Sequence, residues 1–389
     1  MDTLGGVLLD TGGDYIIVAM KLRDATVAAR AGDAESGSEI TPHVEPLYQV
    51  SVYDFPSIDA SLPALAGQSG HVYARHGLPN TDTLGRAVAE LEGAAAGLAT
   101  SSGMGATAAA VMSLCGAGDR VLVQRDAYGG TGAMFDADLA RFGVKVEYVD
   151  AYDVAAVAAA VPGAKLLMVE SISNPLLKPV DIAALALHCR DAGAALIVDN
   201  TFATPLAIQP LAAGADLVVH SATKFLGGHH DLVAGVIAGD RERVQVARGV
   251  AIRLGLTASP FNAWLAVRGI RTLDVRMRRA WANAAELAER LRGDDRVSAV
   301  FTADKCALVT FDLGSYEAAE RLVTSLSLVT LSPSLGGVTT TISHPATSSH
   351  RALTEAQRAA IGITPGMLRV SVGIESIDDV WTDFSLPAP

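Results

Sequence analysis

The chain has 389 residues, of which 50% are hydrophobic and 19% charged, a balance that excludes an intrinsically disordered protein and predicts a globular core. The formal net charge of −12, without any Lys- or Arg-rich stretch, argues against a nucleic-acid partner. The three cysteines, Cys115, Cys189 and Cys306, are far apart and form no C-x-x-C pair, so neither a disulfide framework nor a zinc site is predicted.

Residues 1–60 show little regular periodicity and are predicted to form an N-terminal arm. Within them, Thr41–Tyr48 carries two prolines, which favour extended backbone. Two interpretations stay open: an arm that reaches across a subunit interface, or a surface tail. Met1–Met20 is partly apolar but has no early basic cluster, so no signal peptide is predicted. Every apolar stretch is too short to span a membrane, and a cytoplasmic protein without a membrane partner is expected.

From residue 81 onwards helical and strand patterns alternate, and residues 61–257 are predicted to form a large α/β domain. Helices are predicted at Thr83–Leu98, which is amphipathic, and at Ile182–Ala192. Apolar strands that alternate with helices are typical of a mostly parallel sheet covered on both faces. The predicted strands are Arg120–Val123, Val144–Val149, Lys165–Val169, Ala195–Val198 and Asp216–Val219.

After Thr257 the pattern changes, and residues 258–389 are predicted to form a smaller C-terminal α+β domain. Phe261–Arg292 has one long helical pattern with a break near Gly269, and another helix is predicted at Tyr316–Ser325. The strands predicted around these helices are Ala299–Phe301, Ala307–Phe311 and Leu368–Val372.

Three polar side chains follow consecutive apolar strands at a regular spacing of 25 residues: Asn174, Asp199 and Lys224. Because the carboxyl ends of parallel strands line the ligand crevice of α/β folds, these side chains are predicted to converge. A lysine and an aspartate in one crevice suit pyridoxal 5'-phosphate (PLP), since the amine forms a Schiff base with the aldehyde and the carboxylate keeps the pyridine nitrogen protonated. Asn174 could bind the 3-hydroxyl of the ring. Taken singly, Asp199 could instead cap a helix and Lys224 could be a surface lysine.

The segment Thr100–Thr107 is rich in Ser, Gly and Thr and leads into a helix of small residues predicted at Ala106–Leu114. Free backbone N–H groups at a helix N-terminus bind anions, so this segment is a candidate site for the cofactor phosphate. The alternative is a simple helix cap. The hydroxyls of Ser221 and Thr223, beside Lys224, could add phosphate contacts.

Two other kinds of site are not predicted. The run Gly227–Asp231 contains His229 and His230, but adjacent histidines on a glycine loop seldom converge on one metal ion. A dinucleotide-binding oxidoreductase would need a G-x-G-x-x-G segment after a strand near the N-terminus, and the sequence has none.

These segments resemble the Cys/Met-metabolism family of PLP-dependent enzymes, which includes cystathionine γ-synthase, cystathionine γ-lyase, cystathionine β-lyase, methionine γ-lyase and the O-acylhomoserine sulfhydrylases. The resemblance extends from about Thr41 to Glu375 and centres on Ser221–Gly235, SATKFLGGHHDLVAG. It implies a fold-type-I PLP-dependent transferase in which Lys224 holds the cofactor as a Schiff base. It also implies a homotetramer, a dimer of dimers, whose active sites are shared between subunits.

The resemblance assigns roles to further residues. Tyr73 and Arg75 resemble a Tyr-x-Arg pair that reaches the cofactor phosphate of the neighbouring subunit. Tyr128 matches a tyrosine that stacks on the pyridine ring and can act in acid–base catalysis. Arg369 would pair with the α-carboxylate of the substrate, a task that suits a planar guanidinium. The remaining matches are the phosphate loop of Ser102, Gly103 and Met104, the ring-binding Asn174 and Asp199, and a substrate segment with Ser334 and Leu335.

The implied reaction is γ-replacement or γ-elimination on a small amino-acid substrate. The Lys224 amine would remove the α-proton, Asp199 would keep the ring cationic, and Tyr128 could protonate the leaving group. A vinylglycine-type imine would then accept a nucleophile, or would be hydrolysed to a 2-oxo acid and ammonia. Replacement is favoured, on a homoserine ester or a donor derived from methionine or S-adenosylmethionine, in a specialised biosynthetic pathway. The alternatives are a γ- or β-elimination lyase similar to cystathionine γ-lyase and a non-catalytic PLP-binding protein.

Some positions depart from the family pattern. Gly130 stands where methionine γ-lyases carry a cysteine, and Pro333 where cystathionine γ-synthases and γ-lyases usually have a glutamate. The missing glutamate would have bound the distal amino group of cysteine or cystathionine. Leu78 stands where an asparagine is common, and Thr339–Thr341 is expected to form a hydroxyl-rich wall instead. These departures favour a leaving group or nucleophile other than the standard cystathionine substrates.

Overall fold

The computed structural model describes residues 6–10, 15–19, 22–33 and 42–385. Its first elements are the antiparallel pair β1 (Gly6–Asp10) and β2 (Tyr15–Ala19), followed by helices α1 (Asp24–Ala29) and α2 (Ile58–Leu65). The predicted extended segment Thr41–Tyr48 lies partly outside the described residues, and residues 42–48 form neither helix nor strand.

A seven-stranded sheet forms the centre of the following part of the chain. Its strands are β3 (Ala96–Thr100), β4 (Arg120–Gln124), β5 (Lys145–Val149), β6 (Leu166–Glu170), β7 (Ala195–Asp199), β8 (Leu217–Ser221) and β9 (Gly235–Gly239). They lie in the order β3-β9-β8-β7-β6-β4-β5, and β9 is the one strand that runs opposite to the other six of this sheet. The mostly parallel α/β sheet expected from the sequence is confirmed.

Helices cover both faces of this sheet, as the apolar runs on its strands require. Ile197 and Val219 pack on one face against residues of α4 and α9, whereas Leu196 and Val198 pack on the other against α6 and α7. The helices of this part are α3 (Pro79–Glu92), α4 (Gly103–Leu114), α5 (Gly129–Ala133), α6 (Val154–Ala160), α7 (Ile182–Ala192), α8 (Thr204–Ala207) and α9 (Arg241–Leu254).

The predicted helix Thr83–Leu98 is wrong at its C-terminal end, because Leu98 lies in β3. Helix α3 ends at Glu92, where Gly93 adopts a left-handed conformation with φ 68°. The helix then packs on the sheet through two glycines. A Cβ on Gly97 would lie 2.0 Å from the carbonyl oxygen of Gly85, so the two backbones touch without a side chain between them.

The last part of the chain forms a second sheet with its own helices. Helices α10 (Pro260–Ile270) and α11 (Leu273–Arg292) confirm the predicted break in the long helical pattern. The further elements are β10 (Ala299–Phe301), β11 (Leu308–Asp312), α12 (Tyr316–Ser325), β12 (Thr330–Leu331), β13 (Thr341–Ser343), α13 (Glu355–Ala360), β14 (Met367–Ser371) and α14 (Ile377–Ser385). The strands lie in the order β10-β11-β14-β13-β12. The domain limits given above stay a prediction.

Within the described ranges, no helix combines the length and the apolar character needed to cross a membrane.

Arg276 of α11 is buried and binds backbone carbonyls instead of a carboxylate. Its guanidinium donates to the carbonyl oxygens of Phe225 at 2.9 Å, Gly269 at 2.8 Å and Leu226 at 3.4 Å. Burial lowers the pKa of Arg276 to about 10. Helix α11 thereby holds the loop that directly follows Lys224.

We expect Arg276→Met to lower the free energy of unfolding by ~2 kcal/mol or more, because three buried carbonyl groups lose their donor. Arg278→Met on the same helix is the control, since that guanidinium is exposed and, within the described residues, pairs with Asp274 alone. Its unfolding midpoint should stay close to that of the wild type. Thermal and urea unfolding of both purified variants measure the difference, and equal midpoints would contradict the role of Arg276.

Candidate active site

The candidate site lies where the carboxyl ends of β6, β7 and β8 meet strand β14. Glu170 at the end of β6 pairs in register with Asp199 at the end of β7, which brings the two strand ends level. Arg369 of β14 donates from Nη1 to Oδ1 of Asn174 at 2.6 Å, and its charge lowers the pKa of Lys224. The sequence-predicted residues Asn174, Asp199 and Lys224 therefore lie at the same edge of the large sheet, as expected for successive strand ends.

Lys224 lies in the turn after β8, where its N–H donates to the carbonyl of Ser221 at 3.1 Å. Its Nζ donates to Oγ of Ser334 at 3.0 Å. Burial, followed by the charge of Arg369, lowers the pKa of Lys224 to about 8. A lysine with this pKa is partly uncharged near neutral pH, so it can attack an aldehyde or accept a proton.

The loop of Ser334, Leu335 and Gly336 packs directly on Lys224. Gly336 has φ 88°, and a Cβ there would lie 3.0 Å from Cα of Lys224. The N–H of Gly336 donates to Oγ of Ser371 at 2.8 Å, and Leu335 is buried in the core. The hydroxyl of Ser334 is thus held at the lysine amine by the contacts of the two residues that follow it.

Asp199 has one occupied and one open carboxylate oxygen. Oδ1 accepts hydrogen bonds from the N–H and the hydroxyl of Thr201, whereas Oδ2 makes none among the described residues. Burial raises the pKa of Asp199, and the Thr201 hydrogen bonds and the charge of His220 oppose that rise. A half-buried carboxyl group with an open oxygen fits a cationic N–H donor such as a protonated pyridine nitrogen.

The Ser102–Met104 loop fits both predictions made for it, a helix cap and a phosphate site. Ser102 caps α4, because its Oγ accepts the N–H of Gly105 at 3.0 Å. The first N–H groups of a helix have no intrahelical acceptor, so those of Gly103 and Met104 can bind an anion. A Cβ on Gly103 would lie 2.7 Å from Cβ of Ser221, so the Ser221 hydroxyl lies beside this loop. The arrangement fits a phosphate group.

Thr223 offers less to a phosphate than Ser221 does. Its Oγ1 donates to the carbonyl of Ala234 at 3.2 Å and accepts the N–H of Ala234 at 3.1 Å. A phosphate contact would require this hydroxyl to leave Ala234, and the role of Thr223 stays a prediction. The hydroxyl of Ser221 makes no hydrogen bond within the described part of the chain and is available.

Arg369 is a buried cation that makes no hydrogen bond to a carboxylate in the described part of the chain. It is 3% exposed, its Nη1 binds Asn174, and its Nε makes no hydrogen bond. The guanidinium carbon lies 5.9 Å from the ring centroid of Phe202. Desolvation lowers the pKa of Arg369 to about 10. Because a buried charge without a counter-ion is costly, the site fits the α-carboxylate of an incoming amino acid.

Tyr128 lies at the rim of the cleft and is 44% exposed. Its backbone N–H donates to Oε1 of Glu170 at 2.7 Å. Burial, followed by the charge of Asp199, raises the pKa of Glu170 well above its ordinary value. The Tyr128 ring lies over Gly130, where a Cβ would come within 2.5 Å of Cε1. The position of the ring therefore depends on the missing side chain at Gly130.

Tyr73 and Arg75 make no hydrogen bond to the Ser102–Met104 loop of their own chain, as far as the described residues show. Nη1 of Arg75 donates instead to the carbonyl of Ile252 at 3.0 Å. Tyr73 is exposed, with the Arg75 guanidinium 5.8 Å from its ring centroid. Their expected reach into a neighbouring subunit stays a prediction.

Thr340 does not form the expected hydroxyl-rich wall of the site. Its hydroxyl donates to Oε2 of Glu375 at 2.9 Å and accepts the N–H of Gly373 at 3.0 Å. The residue stabilises the turn after β14, a task set by contacts 33 and 35 residues away in sequence. Thr341 lies buried in β13.

Three residues of the site carried no predicted role: Glu170, Thr201 and His220. Glu170 and Thr201 stand at or just after strand ends, and this position was the available signal. His220 directly precedes Ser221 but is buried, with its side chain on the opposite face of the sheet. Its contact with Glu92 leaves no local sign in the sequence, because a single histidine in an apolar strand forms no pattern.

Comparisons with known proteins agree with this geometry. The family model for Cys/Met metabolism PLP-dependent enzymes matches residues 25–386. An O-succinylhomoserine sulfhydrylase of Pseudomonas aeruginosa is 41% identical over 379 residues, covering 92% of this chain and 94% of that protein. An L-methionine gamma-lyase of Pseudomonas putida is 38% identical over 361 residues, covering 87% of this chain and 91% of that protein.

The crystal structure of cystathionine gamma synthase from Xanthomonas oryzae pv. oryzae, in complex with aminoacrylate and cysteine, superposes with a TM-score of 0.88. It is 37% identical in sequence, and the match covers 94% of this chain and 97% of that one. The fold-type-I architecture and the PLP dependence expected from the sequence are confirmed. The protein is an enzyme that belongs to the Cys/Met metabolism PLP-dependent family.

Proposed function

We propose that the protein catalyses γ-replacement on a γ-substituted amino acid, a homoserine ester or a donor derived from methionine or S-adenosylmethionine. One observation carries the proposal: the Arg369 guanidinium lies near the Lys224 amine, and its Nε has no hydrogen-bond partner among the described residues. An amino acid that places its carboxylate on Arg369 brings its Cα within reach of a lysine whose pKa is about 8.

Each residue of the cleft has a separate task in this proposal. Bound PLP supplies the electron sink for negative charge that develops at Cα. Lys224 takes the α-proton and moves protons along the substrate, while Ser334 orients its amine. Asp199 holds the pyridine nitrogen, and the Ser102–Met104 loop with Ser221 holds the phosphate. Tyr128, at the open rim, can donate a proton to the leaving group.

Replacement is preferred to elimination on the character of the rim and on the relatives. Pro333 places no carboxylate beside Ser334, so the rim lacks an acidic group there for a distal ammonium. The P. aeruginosa relative is a sulfhydrylase and the X. oryzae structure is a γ-synthase, whereas the P. putida relative is a γ-lyase. A lyase is therefore the main alternative outcome.

The proposal includes a homotetramer in which Tyr73 and Arg75 reach the phosphate site of a neighbouring subunit. The segment before Tyr73 supports it, because several large apolar side chains there are exposed: Val50, Val52, Ile58, Leu62 and Leu65. Exposed apolar clusters of this kind mark association surfaces.

Mass spectrometry of products tests the reaction. The holoenzyme is fed O-acetyl-, O-succinyl- and O-phosphohomoserine, cystathionine, methionine and S-adenosylmethionine, each with and without cysteine or hydrosulfide. We expect a new amino acid that forms only when a nucleophile is present, and no product with Lys224→Ala. A 2-oxo acid that forms without any nucleophile would show a lyase and overturn the proposal. A Lys224→Ala variant as active as the wild type would overturn the assigned chemistry.

The lowered pKa of Lys224 predicts the pH dependence of cofactor attachment to the apoprotein. Only the uncharged amine attacks the aldehyde, so the rate should rise with pH through about 8 and then level off. Rapid mixing with PLP, followed by absorbance, measures this rate. Nα-acetyl-lysine is the control, because its rate should keep rising towards the ordinary lysine pKa of about 10.4. A protein rate that still rises steeply between pH 9 and 10 would contradict the lowered pKa.

The contact between Gly130 and Tyr128 predicts a local effect of one methyl group. Gly130→Ala should displace the Tyr128 ring and lower kcat by about tenfold or more, as the loss of a general acid does. Gly132→Ala is a matched control in the same helix, because its Cβ would lie 3.6 Å from Oη of Tyr148, an ordinary contact. Steady-state kinetics of both variants with PLP bound decide the question, and equal rates would contradict the prediction.

A further inference from the structure

A buried polar cluster lies on the back of the large sheet, behind Asp199. It consists of Glu92 at the end of α3, Asn200 just after β7, and His220 in β8, and no member is more than 1% exposed. Because successive strand residues point to opposite faces, Asn200 and His220 face away from the cleft, while Asp199 and Ser221 face it. Asn200 is thus adjacent in sequence to Asp199, and His220 is adjacent to Ser221.

The cluster is closely hydrogen-bonded. Oε1 of Glu92 lies 2.6 Å from Nε2 of His220 and accepts from Nδ2 of Asn200 at 2.9 Å. Nδ2 of Asn200 also donates to the carbonyl of Ile208 at 2.8 Å. Oε2 of Glu92 and Oδ1 of Asn200 have no hydrogen-bond partner among the described residues. A carboxylate at this distance favours an imidazole that donates to it, because charge-assisted hydrogen bonds are the stronger ones.

Such a cluster is an expensive way to attach a helix to a sheet. Burying a carboxylate carries a large desolvation penalty, and apolar residues of similar volume fill such sites at least as well. The same helix end already has a neutral clamp, since Nε2 of Gln209 donates to the carbonyl of Leu91 at 2.7 Å. Packing alone therefore does not explain why this cluster is charged.

The charge of the cluster affects Asp199 in the active site. Burial raises the pKa of Asp199, and the Thr201 hydrogen bonds, followed by the charge of a protonated His220, oppose that rise. On the other side of Asp199, Glu170 of the neighbouring strand is a second carboxyl group, and its pKa is raised. His220 thus favours the ionised form of Asp199 from behind the sheet.

We propose that Glu92 is a positioning residue that holds His220 in its hydrogen-bonded, proton-carrying form, so that Asp199 stays ionised and keeps the pyridine nitrogen of PLP protonated. This inference rests on the cofactor role of Asp199 in the proposed function. It adds two residues that touch neither substrate nor cofactor and act through the strands that carry Asp199 and Ser221.

The test compares Glu92→Gln with the wild type, because glutamine keeps the shape of the side chain and removes its charge. The visible band of lysine-bound PLP titrates with the lysine–cofactor nitrogen, which becomes more basic when the pyridine ring loses its proton. We expect the titration midpoint of Glu92→Gln to rise by about one pH unit. Gln209→Met is the matched control, since it loosens the same helix end without a change of charge, and its midpoint should stay that of the wild type.

A second variant and a wild-type measurement cover the case in which Glu92→Gln does not fold. His220→Gln can still donate to Glu92 but carries no proton charge, and it should raise the midpoint in the same direction. In the wild type, ¹⁵N NMR of bound, labelled PLP should show a protonated pyridine nitrogen. An unshifted midpoint in folded Glu92→Gln or His220→Gln, or an unprotonated nitrogen in the wild type, would overturn the proposal.

These measurements need no substrate, so they separate the two proposals. A shifted midpoint together with a wild type that forms no replacement product would leave the role of Glu92 intact and refute γ-replacement. Replacement activity together with an unshifted midpoint would do the reverse.

Discussion

The active site depends on two neighbouring cations, Lys224 and the buried Arg369, which donate to neutral oxygens in the described part of the chain. Lys224 and Arg369 lie close enough for the arginine to lower the pKa of the lysine, and their direct partners are the neutral oxygens of Ser334 and Asn174. The carboxyl groups of Asp199 and Glu170 belong to the neighbouring strand ends. Glu170 and Arg369 also interact electrostatically. In the proposed function the substrate carboxylate adds negative charge at the guanidinium, while burial and the charge of Arg369 lower the pKa of the lysine.

Positions within the cleft are fixed from both sheets at once. The large sheet supplies the strand ends, and the second sheet supplies Arg369 and, through Ser371, the loop that carries Ser334. Arg276 then holds the backbone after Lys224 from a third direction. Because each reactive group is oriented by a partner from another part of the chain, the geometry depends on how the two sheets pack.

The sequence predicted most strands of the large sheet to within two residues, since their apolar runs are bounded by glycine and charge. It also placed Asn174, Asp199 and Lys224 at strand ends. It did not predict β9, whose five residues include two glycines and an alanine and carry a weak strand signal. It extended α3 over β3, because helical spacing continues past Gly93. Contacts such as Arg369 with Asn174, 195 residues apart, leave no local pattern to read.

The backbone contact between Gly85 and Gly97 limits how this enzyme can be redesigned. It sets the distance between α3 and the sheet, and hence the reach of Glu92 to His220. No side chain fits at either position, and a change at one cannot be compensated at the other, since each Cβ would meet backbone atoms. Gly116 is different, because a Cβ there meets nothing within 4 Å. A combinatorial library should therefore keep residues 85 and 97 unchanged and vary sites such as 116 and the open rim around Tyr128.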